Sequence, residues 1–177
     1  MKRKLNILLT GASGAVGYEV IKQLAKKKAH FNVTAFDQKT QQSKRKLSKF
    51  RKDVQLIYGD LRKIEDVQKV TSNVDVAIHL GAIIPPLADQ YPELAWQVNA
   101  IGTENLIQQL EQQSPEAFLL YSSSISIYGD RIDSPFIRVG DRLAPSEGDA
   151  YALTKIKAEQ IIQESKLKWS IFRLTAI

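Results

Sequence analysis

Thr10-Gly11-Ala12-Ser13-Gly14-Ala15-Val16-Gly17 decides the reading of this 177-residue chain. Before it stands Leu5–Thr10, an apolar run of strand length. After it stands Ala15–Lys28, with Val16, Val20, Ile21 and Leu24 at helical spacing. A glycine pattern between a strand and a helix is the context for holding a dinucleotide. Gly11 allows the tight turn, Gly14 lets a pyrophosphate approach the backbone, and Gly17 lets helix and strand pack closely. Ala12, Ser13, Ala15 and Val16 complete the loop, and the helix N-terminus offers N–H groups and a positive dipole end to phosphates.

Working outward, strand and helix patterns alternate, which predicts βαβ units and a parallel sheet. Strands are expected at Asn32–Phe36, Val54–Tyr58, Val74–Leu80, Ala117–Ser122 and Trp169–Leu174. Helices are expected over Ile64–Val70, Glu93–Gln112 and Ala150–Glu164. The fold class is α/β: a doubly wound Rossmann sheet in three layers, α/β/α, with strand order 3-2-1-4-5-6 and a single domain over residues 1–177. Val74–Leu80 is apolar except for Asp75 and His79, as for a strand covered on both faces. His79 there reads as a packed core residue. Asp130–Asp149, with Pro135, Gly140, Pro145 and Gly148, reads as a long functional loop.

Asp37 closes the second strand, 20 residues after Gly17. An acid at that point accepts hydrogen bonds from the adenosine ribose and repels a 2′-phosphate, so NAD is expected over NADP; nearby Lys39 works against this preference. Tyr151 and Lys155 are four residues apart and share one helix face. An ammonium beside a phenol favours the phenolate, which suits proton exchange with a substrate oxygen. On an arbitrary helix this pair is ordinary. Downstream of the glycine loop and a serine-tipped fifth strand, it reads as catalytic.

Composition narrows the alternatives. With no cysteine, disulfides and thiol nucleophiles are excluded, and two histidines are too few for a His-based metal site, so no metal is expected. Met1-Lys2-Arg3-Lys4 is basic, but Leu5–Leu9 is too short for a signal peptide, and no stretch approaches the ~20 apolar residues of a membrane span. A cytoplasmic protein is expected. The net charge of +6 is uneven: residues 1–52 carry 14 of the 25 Lys+Arg and only two acids, Glu19 and Asp37. The run Lys44-Arg45-Lys46, Lys49, Arg51-Lys52 reads as a solvated helix or loop rather than a nucleic-acid patch, because no aromatics interleave it.

Taken together, the chain resembles the N-terminal, cofactor-binding part of an extended short-chain dehydrogenase/reductase, the NAD-dependent epimerase/dehydratase group. Besides Gly11-x-x-Gly14-x-x-Gly17, the segments Tyr58-Gly59-Asp60-Leu61, His79-Leu80-Gly81-Ala82, Val98–Leu106 and Ser122-Ser123-Ser124 with Gly129 carry the likeness. The resemblance implies that Asp60 and Leu61 meet the adenine, that Leu80, Gly81 and Ala82 line the pyrophosphate and ribose, and that Asn99 stands near the nicotinamide. It implies Ser124 as the catalytic serine partnering Tyr151, Ser123 as a neighbour touching the cofactor, and Lys155 on the nicotinamide ribose. It also implies a small-molecule substrate, a nucleotide sugar or another alcohol or ketone, and a homodimer through the Glu93–Gln112 and Ala150–Glu164 helices. Family members continue into a C-terminal substrate domain, which these 177 residues do not contain. Ile125 and Ser126 stand where dehydratases carry an acidic pair, which lowers dehydratase; epimerase and dehydrogenase stay open. A non-catalytic NAD-binding sensor or assembly module is the alternative, and nucleic-acid binding is the least favoured reading.

Overall fold

The structure, a computed structural model, describes residues 3–132 and 135–175. Met1 and Lys2, residues 133 and 134 of the long loop, and Ala176 and Ile177 lie outside the described residues. Six strands, β1 (Leu5–Thr10), β2 (Phe31–Asp37), β3 (Gln55–Tyr58), β4 (Val76–His79), β5 (Phe118–Ser124) and β6 (Lys168–Leu174), form one sheet in the order β3-β2-β1-β4-β5-β6. Every pairing is parallel. The doubly wound class and strand order expected above are therefore borne out.

Strand alternation distributes the core to both faces. Ile7 and Leu9 of β1, with Val33 and Ala35 of β2, pack under α1 (Ala15–Lys26) and α2 (Gln41–Leu47), against Ile21, Leu47 and Phe50. Leu8, Leu119 and Tyr121 point the other way, toward Val67 of α3 (Ile64–Val67). On that face they also meet Leu106 and Leu110 of α6 (Gly102–Gln113) and Ile162 of α7 (Ala150–Glu164). Each fully buried aliphatic side chain contributes about 1.5–3 kcal/mol. β1 is apolar on both faces because both are covered.

Most expected boundaries moved by one to three residues, and some of the differences have clear physical reasons. β5 runs to Ser124, past the expected end at Ser122, because its ladder with β6 continues through Ser122↔Phe172, Ser123↔Arg173 and Ser124↔Leu174 although the apolar pattern stops. The helix expected over Glu93–Gln112 is α5 (Pro92–Trp96), a π-helical turn Gln97–Ile101 and α6. A further one-turn helix, α4 (Leu87–Gln90), precedes them. The basic run folds as α2 and the 3-10 turn Ser48–Phe50, burying Ser43, Leu47 and Phe50 while Lys44, Arg45 and Lys49 face solvent. Thr40 and Ser43 close its first turn as a capping box.

Candidate active site and cofactor cleft

The order reverses between β1 and β4, and ligands of open α/β sheets bind at such a switch point. A cavity of about 310 Å³ opens there. Of the expected cofactor residues, Gly11, Ser13, Gly14, Asp37, Asp60, Leu61, Leu80, Gly81 and Ala82 line it. Phe36, Gln38, Gly59, Arg62, Ile83, Leu87, Leu94 and Val98 complete the wall without having been expected. Most are apolar residues in loops or on helix faces, and nothing in their spacing signalled a cleft.

The glycine loop is shaped by close approach. Gly11 has φ +70°, and a Cβ there would stand 2.6 Å from Gly81 N. A Cβ on Gly17 would stand 2.1 Å from Gly11 O, so α1 seats directly on the loop only without a side chain. No side chain caps α1, and its first intrahelical bond runs from Tyr18 N–H to Gly14 O. The amides of Ala15, Val16 and Gly17 precede that bond, which is the geometry that suits an anion. Ala12 departs from expectation: its methyl is fully buried in the core under α1, so only its backbone belongs to the loop.

Asp37 does two things in this cleft. Its carboxylate accepts from Ser13 N–H at 2.7 Å and from Gln38 N–H at 2.8 Å. Lys46 of α2 donates to Ser13 O at 2.9 Å, so the loop is held from both sides by residues around the second strand. A carboxylate offers about four acceptor positions, which leaves room for ribose hydroxyls. Asp60 is tied to Arg62, whose guanidinium holds the carboxyl below its ordinary range.

Asn99, expected near a nicotinamide, has a structural role in its own right. It is buried in the π-helical turn, where Oδ1 accepts from Ile83 N–H (2.7 Å) and Nδ2 donates to Ile83 O (2.9 Å) and Thr154 Oγ1 (3.0 Å). Its amide therefore anchors the segment after β4 to α7. Beneath it runs a buried relay that fixes the His79 tautomer. Thr103 Oγ1 donates to Asn99 O at 2.6 Å, so His79 Nε2–H must donate to Thr103 Oγ1 at 2.9 Å. Nδ1 then accepts from Thr10 Oγ1 at 2.6 Å, and Thr10 Oγ1 accepts from Gly81 N–H. His79 is a packed core residue, as expected, and burial with the Lys155 charge pushes it down to about 3.

Ser124, Tyr151 and Lys155 gather at the C-terminal end of β5. Asp149 caps α7 by accepting from Ala152 N–H at 2.8 Å, which starts the helix just before Tyr151. Ser126 N–H and Oγ both donate to Ser124 Oγ, at 3.1 and 2.9 Å. That leaves the Ser124 proton uncommitted, with the Tyr151 phenol close enough to feel it. Ser126 orients Ser124, and only the turn after β5 brings it there. Ser123 Oγ is buried on the opposite strand face without a hydrogen-bond partner among the described residues.

The expected lowering of Tyr151 by Lys155 does not appear. Burial pushes the phenol up, the hydrogen bond with Ser124 opposes the rise, and Asp149 adds to it. Lys155 Nζ donates to Ser122 O at 2.8 Å and lies over the Tyr151 ring, 5.6 Å from its centroid. Burial of its ammonium pushes Lys155 down to about 7, against the pull of Glu159.

The fold defines a Rossmann-type domain with a cleft at its switch point. The chain belongs to the NAD dependent epimerase/dehydratase family, whose sequence model matches residues 7–176. Among curated relatives, the UDP-glucose 4-epimerase of Vibrio cholerae is 28% identical over 186 residues, covering 99% of this chain and 53% of that protein. The 3 beta-hydroxysteroid dehydrogenase type 7 of Mus musculus is 27% identical over 163 residues, covering 89% of this chain and 44% of the relative. The solved UDP-Glc/GlcNAc 4-epimerase of Campylobacter jejuni superposes with a TM-score of 0.84 at 22% identity, covering 96% of this chain and 53% of that one. The chain thus spans about half the length of the relatives it matches. Among the described residues, no helix is long and apolar enough to cross a membrane.

Proposed function

We propose that this chain is the cofactor-binding half, with the catalytic hydroxyls, of an NAD-dependent epimerase or dehydrogenase acting at a secondary alcohol or ketone carbon of a nucleotide sugar or similar small molecule. The observation that carries the reading is the gathering of Ser124, Tyr151 and Lys155 at the strand end next to a glycine-walled cleft. The cleft fits a dinucleotide: its loop has no Cβ at Gly11 or Gly14, and Asp37 faces it from β2. Bound NAD would supply the hydride acceptor and donor. Gly11, Gly14 and the amides opening α1 would hold the phosphates, Asp37 the ribose, and Leu61, Leu80 and Ala82 the flanks.

The protein groups would handle the proton. Ser124 would donate toward the phenol oxygen and hold it in place. Tyr151 would then pass a proton to or from the substrate oxygen. Lys155, now on the Ser122 carbonyl, would supply the positive charge that the buried phenol lacks.

Calorimetric titration of the chain with NAD and with NADP tests the reading. Micromolar binding with NAD preferred is expected; no binding of either overturns it. A second reading, a non-catalytic NAD-binding module, is favoured by the lining of the cleft, which stops short of Ser124, Tyr151 and Lys155. Absorbance at the NADH band during a screen of alcohols, ketones and nucleotide sugars separates the two. We also infer a homodimer through the helices over 92–113 and 150–164; a monomer mass by light scattering at micromolar concentration would refute it.

A further inference from the structure

Among the described lysines and arginines, Lys155 alone is buried. A buried ammonium is costly unless it is paired or well hydrogen-bonded. Its hydrogen bond among the described residues is to a neutral carbonyl, Ser122 O. The carboxylate one turn along, Glu159, is itself buried and held by Arg173 through two bonds, Nε to Oε1 at 3.0 Å and Nη2 to Oε2 at 2.7 Å. Arg173 also donates to the Tyr128 hydroxyl. His79 has both ring nitrogens committed to Thr10 and Thr103. The ammonium therefore lacks a carboxylate of its own.

What lies under it is an aromatic face. Lys155 Nζ stands 4.8 Å from the ring centroid of Tyr121, inside the ~6 Å range of a cation–π contact. The His79 ring packs against the Tyr121 ring, 5.5 Å away and tilted by 34°. Its hydroxyl is buried with no hydrogen-bond partner among the described residues. The ring face, not the hydroxyl, is what this position offers to its surroundings.

We propose that Tyr121 is a positioning residue, whose ring face holds the Lys155 ammonium in place beneath Tyr151. This deepens the reading of Lys155 given above and rests on it. The groups facing Lys155 are Tyr151 and Glu159 on α7, Tyr121 on β5 and His79 on β4, with Arg173 of β6 reaching it only through Glu159. Of these, Tyr121 gives the closest aromatic contact. Because a cation–π contact favours the charged form, loss of the ring lowers proton affinity at Nζ.

The test is a pH titration of the lysine Nζ and Cε resonances by NMR in the 177-residue chain, with Lys155→Arg identifying the signal. Tyr121→Phe keeps the ring and removes the unpartnered hydroxyl; the Lys155 midpoint is expected to stay. Tyr121→Leu is expected to lower proton affinity about tenfold, one pH unit. Tyr121→Met serves the same purpose if the leucine variant does not fold. An unmoved midpoint in both apolar variants overturns the proposal, as does a Phe variant that shifts as far as Leu. NADH fluorescence titration of Lys155→Met is read separately: native affinity there refutes a cofactor role for Lys155, while the Tyr121 result stands by its own measurement.

Discussion

At the scale of single residues, Tyr151 and Asp37 separate chemistry from binding. Tyr151 is the group proposed to exchange a proton with the substrate oxygen, and it does not line the cofactor cavity. Tyr151→Phe is expected to lower turnover about 10²–10⁴-fold with NAD affinity within twofold, measured by NADH absorbance and calorimetry. Retained turnover would remove Tyr151 from the proton path. Asp37 lines the cavity and also clamps Ser13 N–H. Asp37→Ala should weaken NAD binding about tenfold and narrow the preference over NADP, because it removes both a ribose acceptor and a charge that repels a 2′-phosphate. Parallel titrations with the two nucleotides would refute this if neither affinity changed. Tyr151, Lys155 and Asp37 stand out in sequence as candidates because their spacing ties them to elements whose order is clear. The work of Ser126 and Asn99 does not: it depends on a turn and a π-helical segment that place polar groups across the chain, 16 to 55 residues apart for Asn99.

Among elements, the seating of α1 on the glycine loop is the strictest fit. A methyl on Gly17 would overlap Gly11 O at 2.1 Å, a backbone atom that cannot swing aside as a side-chain tip could. Gly17→Ala must therefore push α1 from the β1 end. A loss of about 1–3 kcal/mol in urea unfolding is expected, together with weaker nucleotide binding. Full stability in the variant would show that α1 can shift without cost. The helix expected over Glu93–Gln112 shows a different lesson. Apolar periodicity indicated its existence and its face, but not the π-helical turn at Gln97–Ile101. That turn comes with Asn99 anchored to Ile83 and Thr154, a tertiary bond with no local signature. Likewise β5 extends through three serines only because β6 lies beside it.

For the whole molecule, the buried polar cluster between the sheet and the α6–α7 layer governs the response to pH. His79 is fully buried and pushed down to about 3 from an ordinary 6.5, so between these values the unfolded chain binds a proton that the folded chain refuses. Stability then rises with pH across that window and falls as the solution is acidified through it. From pH 6.5 to 5, above the ordinary carboxylate range, the loss through His79 is about 1.5 kcal/mol. Urea unfolding at the two values measures it; a flat profile would mean that His79 charges in the folded state. Lys155, pushed down to about 7 from 10.5, gives a slope of the same sign between those values, with stability gained as pH rises.

By itself the sequence determined the class of fold and the strand order, and it picked out the glycine loop and the three residues proposed for catalysis. Those follow from local signals, namely period, turn chemistry and residue type at fixed spacing, which survive without knowing what packs where. Only the tertiary structure decided the charge environment of the trio. Burial raises Tyr151 instead of Lys155 lowering it, and Lys155 rests on the Ser122 carbonyl and the Tyr121 ring because Glu159 is already taken by Arg173. Desolvation and partner choice depend on every element that closes over a group, and no spacing along one chain encodes that.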